Sequence, residues 1–198
     1  PAILAFILLF RVGELMLVKM TSPFLMNPVA EGGMALSTEE FGLIYGTLGI
    51  VALVTGGIVG GVVIARRGLR RCLWPMAIAM HAPNLLYLWA ALTHPAKALL
   101  GGIVAVEQAA YGFGFSAYTV FLLELSRGQK FATTHYAIST GLMGLSGMVA
   151  GYFSGDIAKA VGFPWFFGIV CIAALPGLVT LFFVPLSNEP ESRDRAGL

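Results

Sequence analysis

An all-α membrane domain is the fold class this sequence predicts, and three observations predict it. Of the 198 residues, 58% are hydrophobic and 11% charged, with a mean hydropathy of +0.85. An average soluble domain is roughly 45–50% apolar and about 25% charged, so this chain lacks the polar surface that a water-soluble globule needs. Six segments, near 2–26, 40–65, 72–93, 98–124, 134–156 and 163–186, are apolar over lengths that can cross a bilayer; a hydrocarbon core of about 30 Å takes about 20 helical residues. The connections between them are short. The expected organisation is a six-helix transmembrane domain over 1–186, followed by a polar cytoplasmic tail over 187–198.

The same composition excludes several functions. A formal net charge of +2, with the basic residues gathered in short loops, does not predict nucleic-acid binding. Cys72 and Cys171 stand in no ligand spacing and read as packing residues. His81, His94 and His135 are too scattered for a metal motif, so neither a metal nor a cofactor is expected. The chain opens at Pro1 directly into an apolar run, without the basic start and small-residue cleavage site of a signal peptide. It reads as a piece of a longer protein.

The first segment carries charges where a membrane span should have none. "AFILLFRVGELMLVKM", Ala5 to Met20, holds Arg11, Glu14 and Lys19. Arg11 and Glu14 are three residues apart, which places them on one face of a continuous helix. A charge at mid-membrane costs about 2.5–3.5 kcal/mol on insertion scales; mutual pairing and a turn toward the bundle interior would lower that. Snorkelling of Arg11 to the cytoplasmic headgroups is the alternative. Lys19 lies nearer the outer end, where snorkelling is easier.

The longest connection, "NPVAEGGMALSTEE", ends in a helix-start signal: Ser37 or Thr38 as cap, with Glu39 and Glu40 in the first turn. The second segment is rich in glycine: Gly42, Gly46, Gly56, Gly57, Gly60 and Gly61. In lipid, helices associate through close backbone approach, which such spacing permits. Gly147, Gly151 and Gly155 form a similar stripe on the fifth segment. The third segment contains Asn84. The fourth contains Glu107 and Gln108 well inside, and Glu124 at its end. Glu107 has no evident partner on its own helix, so it must meet another helix, water or a proton.

Lys and Arg fix the expected orientation. "ARRGLRR" between the second and third segments carries Arg66, Arg67, Arg70 and Arg71, and "SRGQKFATTH" between the fourth and fifth carries Arg127 and Lys130. The opposite loops carry Lys97 and Lys159. The arginine-rich loops and both chain ends are therefore expected in the cytoplasm.

"GVVIARRGLRR" resembles the loop signature of the major facilitator superfamily. Gly61, Arg66, Gly68, Arg70 and Arg71 fit it, whereas Ala65 stands where the family has the Asp that helps latch the cytoplasmic gate. A wider resemblance covers most of the chain. "LLFRVGE", "GTLGIVALVTGGIVGGV", "VEQAAYGFGFSAYTVFLLEL" and "TTHYAISTGLMGLSGMVAGYFSGDIAKAVGFPWFF" look like the C-terminal half of AmpG-type muropeptide permeases, of the peptide/acetyl-coenzyme A/drug transporter branch. The family's Arg-x-Gly-acid pattern falls on Arg11, Gly13 and Glu14, and its acid-plus-polar pair on Glu107 and Gln108, ahead of Gly112 and Gly114. Thr133, Thr134 and His135 resemble its entry into the next helix.

The resemblance implies one half of a major facilitator fold in the bacterial inner (cytoplasmic) membrane. It implies the absence of an N-terminal six-helix partner half, and proton-driven import of muropeptide-like or related amphiphilic solutes. Arg11, Glu14, Asn84, Glu107 and Gln108 are the expected pathway residues, since transporters place solute and ion sites near the midplane between their halves. Two membrane readings compete with it: a drug-efflux member of the superfamily and a six-helix scaffold. An enzyme reading rests on "GLSG", Gly144 to Gly147, which has the form of a rhomboid protease motif. That chemistry needs a base beside the serine, and no histidine follows His135.

Overall fold

The computed structural model describes residues 2–127 and 131–184. Lys130, residues 185–186 at the end of the sixth expected segment, and the tail 187–198 lie outside them. Every regular element among the described residues is a helix. We number them α1 (Ala2–Leu9), α2 (Val12–Met26), α3 (Thr38–Arg67), α4 (Leu69–His81), α5 (Asn84–Thr93), α6 (Lys97–Ser126) and α7 (Ala132–Thr180). Three helical runs are long and apolar enough to cross a membrane by themselves: Thr38–Arg67, Lys97–Ser126 and Ala132–Phe183, the last including a 3-10 turn after α7.

The first and third expected segments are each broken into two helices. Phe10 and Arg11 separate α1 from α2, with Arg11 at φ −103° and ψ 1°. Ala82 and Pro83 separate α4 from α5. Pro83 has no N–H for the helical ladder and restricts the residue before it. The fifth and sixth segments are helical right up to one another, with only Gly162 breaking the run at φ 78° and ψ 162°. A left-handed φ suits glycine, and Pro164 follows where its fixed φ can start the next helix.

α3 begins as its sequence predicts. Ser37 accepts from the Glu40 N–H at 3.1 Å, and the Glu40 carboxylate accepts from the Ser37 N–H at 2.8 Å. Its next turns, Gly42–Gly49, are π-helical. Three glycines in that stretch leave the wider backbone free of side-chain crowding.

α3 and α6 run parallel in close contact. A Cβ on Gly56 would lie 2.0 Å from the Ala109 carbonyl oxygen, and one on Gly112 would lie 2.1 Å from that of Leu53. Ser116 Oγ bridges the carbonyls of Gly57 and Gly112 at 2.9 and 3.0 Å. Of the second-segment glycines, Gly56 and Gly60 make the backbone approach the spacing predicts, whereas Gly42, Gly46 and Gly61 face open space. The α7 stripe makes no such approach: Gly147 and Gly151 receive the side chains of Leu15 and Lys19, and Gly155 faces open space. The close approach to α7 is made instead by Gly13, where a Cβ would sit 2.8 Å from the Val170 carbonyl oxygen.

The parallel α3–α6 pairing puts the arginine turn after α3 and Arg127 after α6 at one end of the bundle. Lys97 and Glu40, paired at 2.7 Å, mark the other. The apolar core has two parts. One, toward the Glu40 end, includes Leu17, Phe24, Tyr87, Val104 and Phe167. The other, toward the arginine end, includes Phe6, Phe10, Met80, Tyr118 and Phe121.

Candidate functional site

Three of the elements that run from one apolar cluster to the other carry charged or amide residues at the crossing. Along α1–α2, Phe10 belongs to one cluster and Met16 to the other, with Arg11 and Glu14 between them. Along α4–α5, His81 and Asn84 fall between Met80 and Tyr87. Along α6, Glu107 and Gln108 fall between Val104 and Ala117. The result is a polar layer inside the bundle. Arg11 (5% exposed), Glu14 (0%), Asn84 (0%), Glu107 (1%) and Gln108 (6%) are all buried, so Arg11 and Glu14 turn inward and neither reaches the molecular surface.

The break at Phe10–Arg11 decides who meets whom. Arg11 and Glu14 do not form the ion pair that continuous helical spacing predicts. Arg11 is not helical, so the three-residue interval no longer sets a common face. Its Nη2 donates instead to the Tyr111 hydroxyl, and its guanidinium lies 4.5 Å from the centroid of Phe115 and 5.4 Å from that of Tyr111. A desolvated guanidinium over an aromatic face is stabilised by about 2 kcal/mol or more. Neighbouring hydroxyls hold the break open: Tyr118 Oη donates to the Ile7 carbonyl at 2.9 Å, and Ser146 Oγ to the Leu8 carbonyl at 2.6 Å. Those carbonyls end α1 and have no helical N–H of their own.

Glu14 and Glu107 lie near enough in the layer for the charge of one carboxyl to act on the other. Glu107 Oε2 accepts from Tyr87 Oη at 3.3 Å and from Gln108 Nε2 at 3.1 Å. The neighbouring residue on its own helix is therefore a partner after all, contrary to the sequence expectation. Tyr45, in the π-helical part of α3, lies beside Gln108, and Thr21 lies beside Tyr87. Arg11 Nε, both Glu14 oxygens, Glu107 Oε1, both His81 nitrogens and both Asn84 amide atoms are buried without a protein donor or acceptor in place. Buried polar groups are rarely left so.

Sequence reasoning found the five buried polar residues but missed Tyr45, Tyr87, Tyr111 and His81, which contact or complete the layer. The available signal was a ring hydroxyl or imidazole inside an apolar span, since such groups need partners when buried. The loop residues Arg66, Gly68, Arg70 and Arg71 lie apart from this layer around the α3–α4 turn, and Gly61 lies earlier, within α3. Lys19 is exposed on α2, its stem packed on Gly151. The Ser146 hydroxyl serves the Leu8 carbonyl. Ser146→Ala is expected to lower stability by about 1 kcal/mol, the usual net worth of one hydrogen bond, and the unaltered chain to remain unlabelled by a fluorophosphonate. Labelling that disappears in Ser146→Ala would restore the protease reading.

No family model matches the chain. Over 179 residues, 90% of its length, it is 28% identical to a protein named anhydromuropeptide permease from Escherichia coli (strain K12), covering 35% of that protein. It is 26% identical over 182 residues to putative transporter AmpG 4 of Rickettsia conorii, covering 92% of this chain and 42% of that one. An uncharacterized protein of Haemophilus influenzae is 25% identical over 194 residues, covering 94% and 44%. Two of these relatives are named as a permease and a transporter, and this chain carries three helical runs long and apolar enough to cross a membrane. Over about nine-tenths of its own length the chain is a homologue of AmpG-type muropeptide permeases and transporters, and it spans less than half the length of those proteins.

Proposed function

We propose that this chain is the C-terminal half, with six membrane spans in the major facilitator arrangement, of a secondary active transporter in a bacterial inner membrane. The transporter imports a muropeptide-like amphiphilic solute together with protons. The names of the relatives support the solute class. The broken first and third segments support six spans, because each pair of short helices follows one apolar stretch of spanning length.

One observation carries the coupling: the buried Glu14–Glu107 carboxyl pair. Two carboxylates offer only acceptors, so a hydrogen bond between them requires a proton. Losing that proton leaves two adjacent negative charges in an apolar interior, with Arg11 close enough to act on one of them. A proton there is therefore tied to the arrangement of α2 and α6. Beside the pair, the rings of Tyr45, Tyr111 and Phe115 are half-buried. In this reading those rings stand between the proton site and the solute, and Asn84 and Gln108 complete the polar lining.

The reading is tested with the full-length protein in vesicles. Labelled anhydromuropeptide should accumulate under an acid-outside pH gradient, and a protonophore should abolish the accumulation. Extrusion of solute would support the efflux alternative, and no solute movement the scaffold. Topology has its own test, in a background with Cys72 and Cys171 replaced by Ala. Arg70→Cys should resist an impermeant thiol reagent in intact cells, whereas Glu31→Cys should react; both sites are exposed. The reverse pattern would overturn the orientation.

A further inference from the structure

His81 is a buried titratable side chain to which the carboxyl pair gives no role. It ends α4, beside the Ala82–Pro83 break, and is 7% exposed. Neither ring nitrogen meets a protein donor or acceptor, and the same holds for both amide atoms of the fully buried Asn84. The imidazole packs edge-on against Phe10 at 5.5 Å, with the Phe10 backbone nearby but outside hydrogen-bond geometry. A phenyl ring would fill this place without burying two polar atoms, so packing alone does not account for a histidine here.

His81 and Asn84 lie in sequence below the carboxyl layer. α4–α5 runs antiparallel to α6: Tyr87 bonds to Glu107, whereas Met80 lies against Gly114. Descending α6 from Glu107 to Gly114, the facing chain passes first Asn84 and then His81. At 1.5 Å per helical residue, Tyr87 to Asn84 and Asn84 to His81 are each about 4.5 Å along the axis. Steps of that size are bridged by a side chain and a water. Beyond His81 the apolar cluster closes over. Phe10 stacks on Tyr118 with ring centroids 5.3 Å apart, and Met76 and Phe121 continue toward the arginine end.

The other charged or titratable groups around this stretch come from three elements. Arg11 and Glu14 stand on α1–α2, and Glu107, Tyr111 and Tyr118 on α6. α7 passes Gly13 at Val170 and Ala174, where it offers Cys171, which is only partly buried. α3, packed on α6 through Gly56 and Gly60, has no titratable residue between Tyr45 and Arg66. The carboxyls are the proton donors within this set, and they lie on the Asn84 side of the imidazole.

We propose that His81 is a proton-relay residue, receiving the coupling proton from the Glu14–Glu107 pair by way of Asn84 and water and passing it toward the arginine end. One ring nitrogen takes up the proton and the other gives one up, so charge and protons balance over the step. The Asn84 amide can extend the hydrogen-bonded chain but does not titrate, which leaves the carboxyl pair and the imidazole as the two stops. The stacked Phe10 and Tyr118 rings keep the lower side shut until the helices move, so release is tied to alternation. The relay presupposes the proton-coupled transport proposed above.

The test uses the full-length protein in vesicles, with labelled anhydromuropeptide and an acid-outside pH jump. His81→Gln keeps hydrogen bonding without titration, and His81→Phe suits the apolar surroundings. A relay sets how fast a proton moves, not how many move. The initial uptake rate is therefore expected to fall about tenfold or more in both variants, while the final accumulation ratio and the counterflow rate stay at the unaltered level. Uptake at the unaltered rate in either variant overturns the proposal. An equal fall in counterflow, or failure of both variants to reach the membrane, makes His81 structural and overturns it too. A lost accumulation ratio would place His81 in the coupling site itself and overturn the relay. Absence of pH-driven uptake in the unaltered protein would instead overturn the proton-coupled reading, and the relay with it.

Discussion

If the proposed proton coupling holds, Glu107→Gln in the full-length protein is expected to abolish accumulation of solute against its gradient while leaving counterflow exchange largely in place. Gln keeps the size of the side chain and can still meet Tyr87 and Gln108, whose bonds to Glu107 are 3.3 and 3.1 Å. It cannot take up or release a proton. One coupled proton lets each pH unit support about tenfold accumulation, since tenfold is about 1.4 kcal/mol; the variant should fall to an inside-to-outside ratio of one. Counterflow needs only alternation with solute bound, and so separates lost coupling from lost transport. Glu14→Gln should behave alike, because the two carboxyls act as one site. The double variant should be no worse than either single one, as expected for groups in one network. Full accumulation with unchanged pH dependence would show that Glu107 carries no coupling proton. Loss of expression in both single variants would favour a purely structural layer.

Much of this layer was legible in the sequence, because charge inside an apolar run is a strong signal. Burial of Arg11, Glu14, Asn84, Glu107 and Gln108 follows from the cost of exposing such groups to lipid. Their partners were not legible. The Arg11–Glu14 pair fails because α1 stops at Leu9, and that stop has no proline or glycine at residues 10–11 to announce it. It is imposed by tertiary contacts, the Tyr118 and Ser146 hydroxyls reaching from α6 and α7. The break at Ala82–Pro83 did have a local signal, in Pro83, and it moves Asn84 from the middle of a helix to the first turn of α5. Glycine spacing was informative on α3 but not on α7. Small residues permit close approach without saying which helix, if any, comes close.

That last distinction makes the strongest stability prediction. Gly56→Ala and Gly112→Ala are each expected to destabilise the domain at or beyond the upper end of the about 1–3 kcal/mol typical of overpacking. The added methyl would lie 2.0 Å from the Ala109 oxygen in the first case and 2.1 Å from the Leu53 oxygen in the second. Both obstacles are backbone, which cannot rotate aside, so α3 and α6 must separate. The substitution itself favours helix by roughly 0.5–1 kcal/mol, which sharpens the comparison with glycines that face nothing. Gly42→Ala, Gly61→Ala and Gly155→Ala, with no atom within 4 Å of the new methyl, should be neutral or slightly stabilising. Thermal unfolding of the detergent-solubilised chain reads the difference, and equal stability of Gly56→Ala and Gly61→Ala would sink the packing argument. The separation also has a consequence for the site. Gly112 lies one turn after Gln108 on α6, so a shift of that helix carries Glu107 away from Glu14 and Tyr45 away from Gln108. In the full-length protein, a Gly112→Ala variant that still reaches the membrane should therefore lose coupled accumulation as well as stability, although its carboxyl groups are intact.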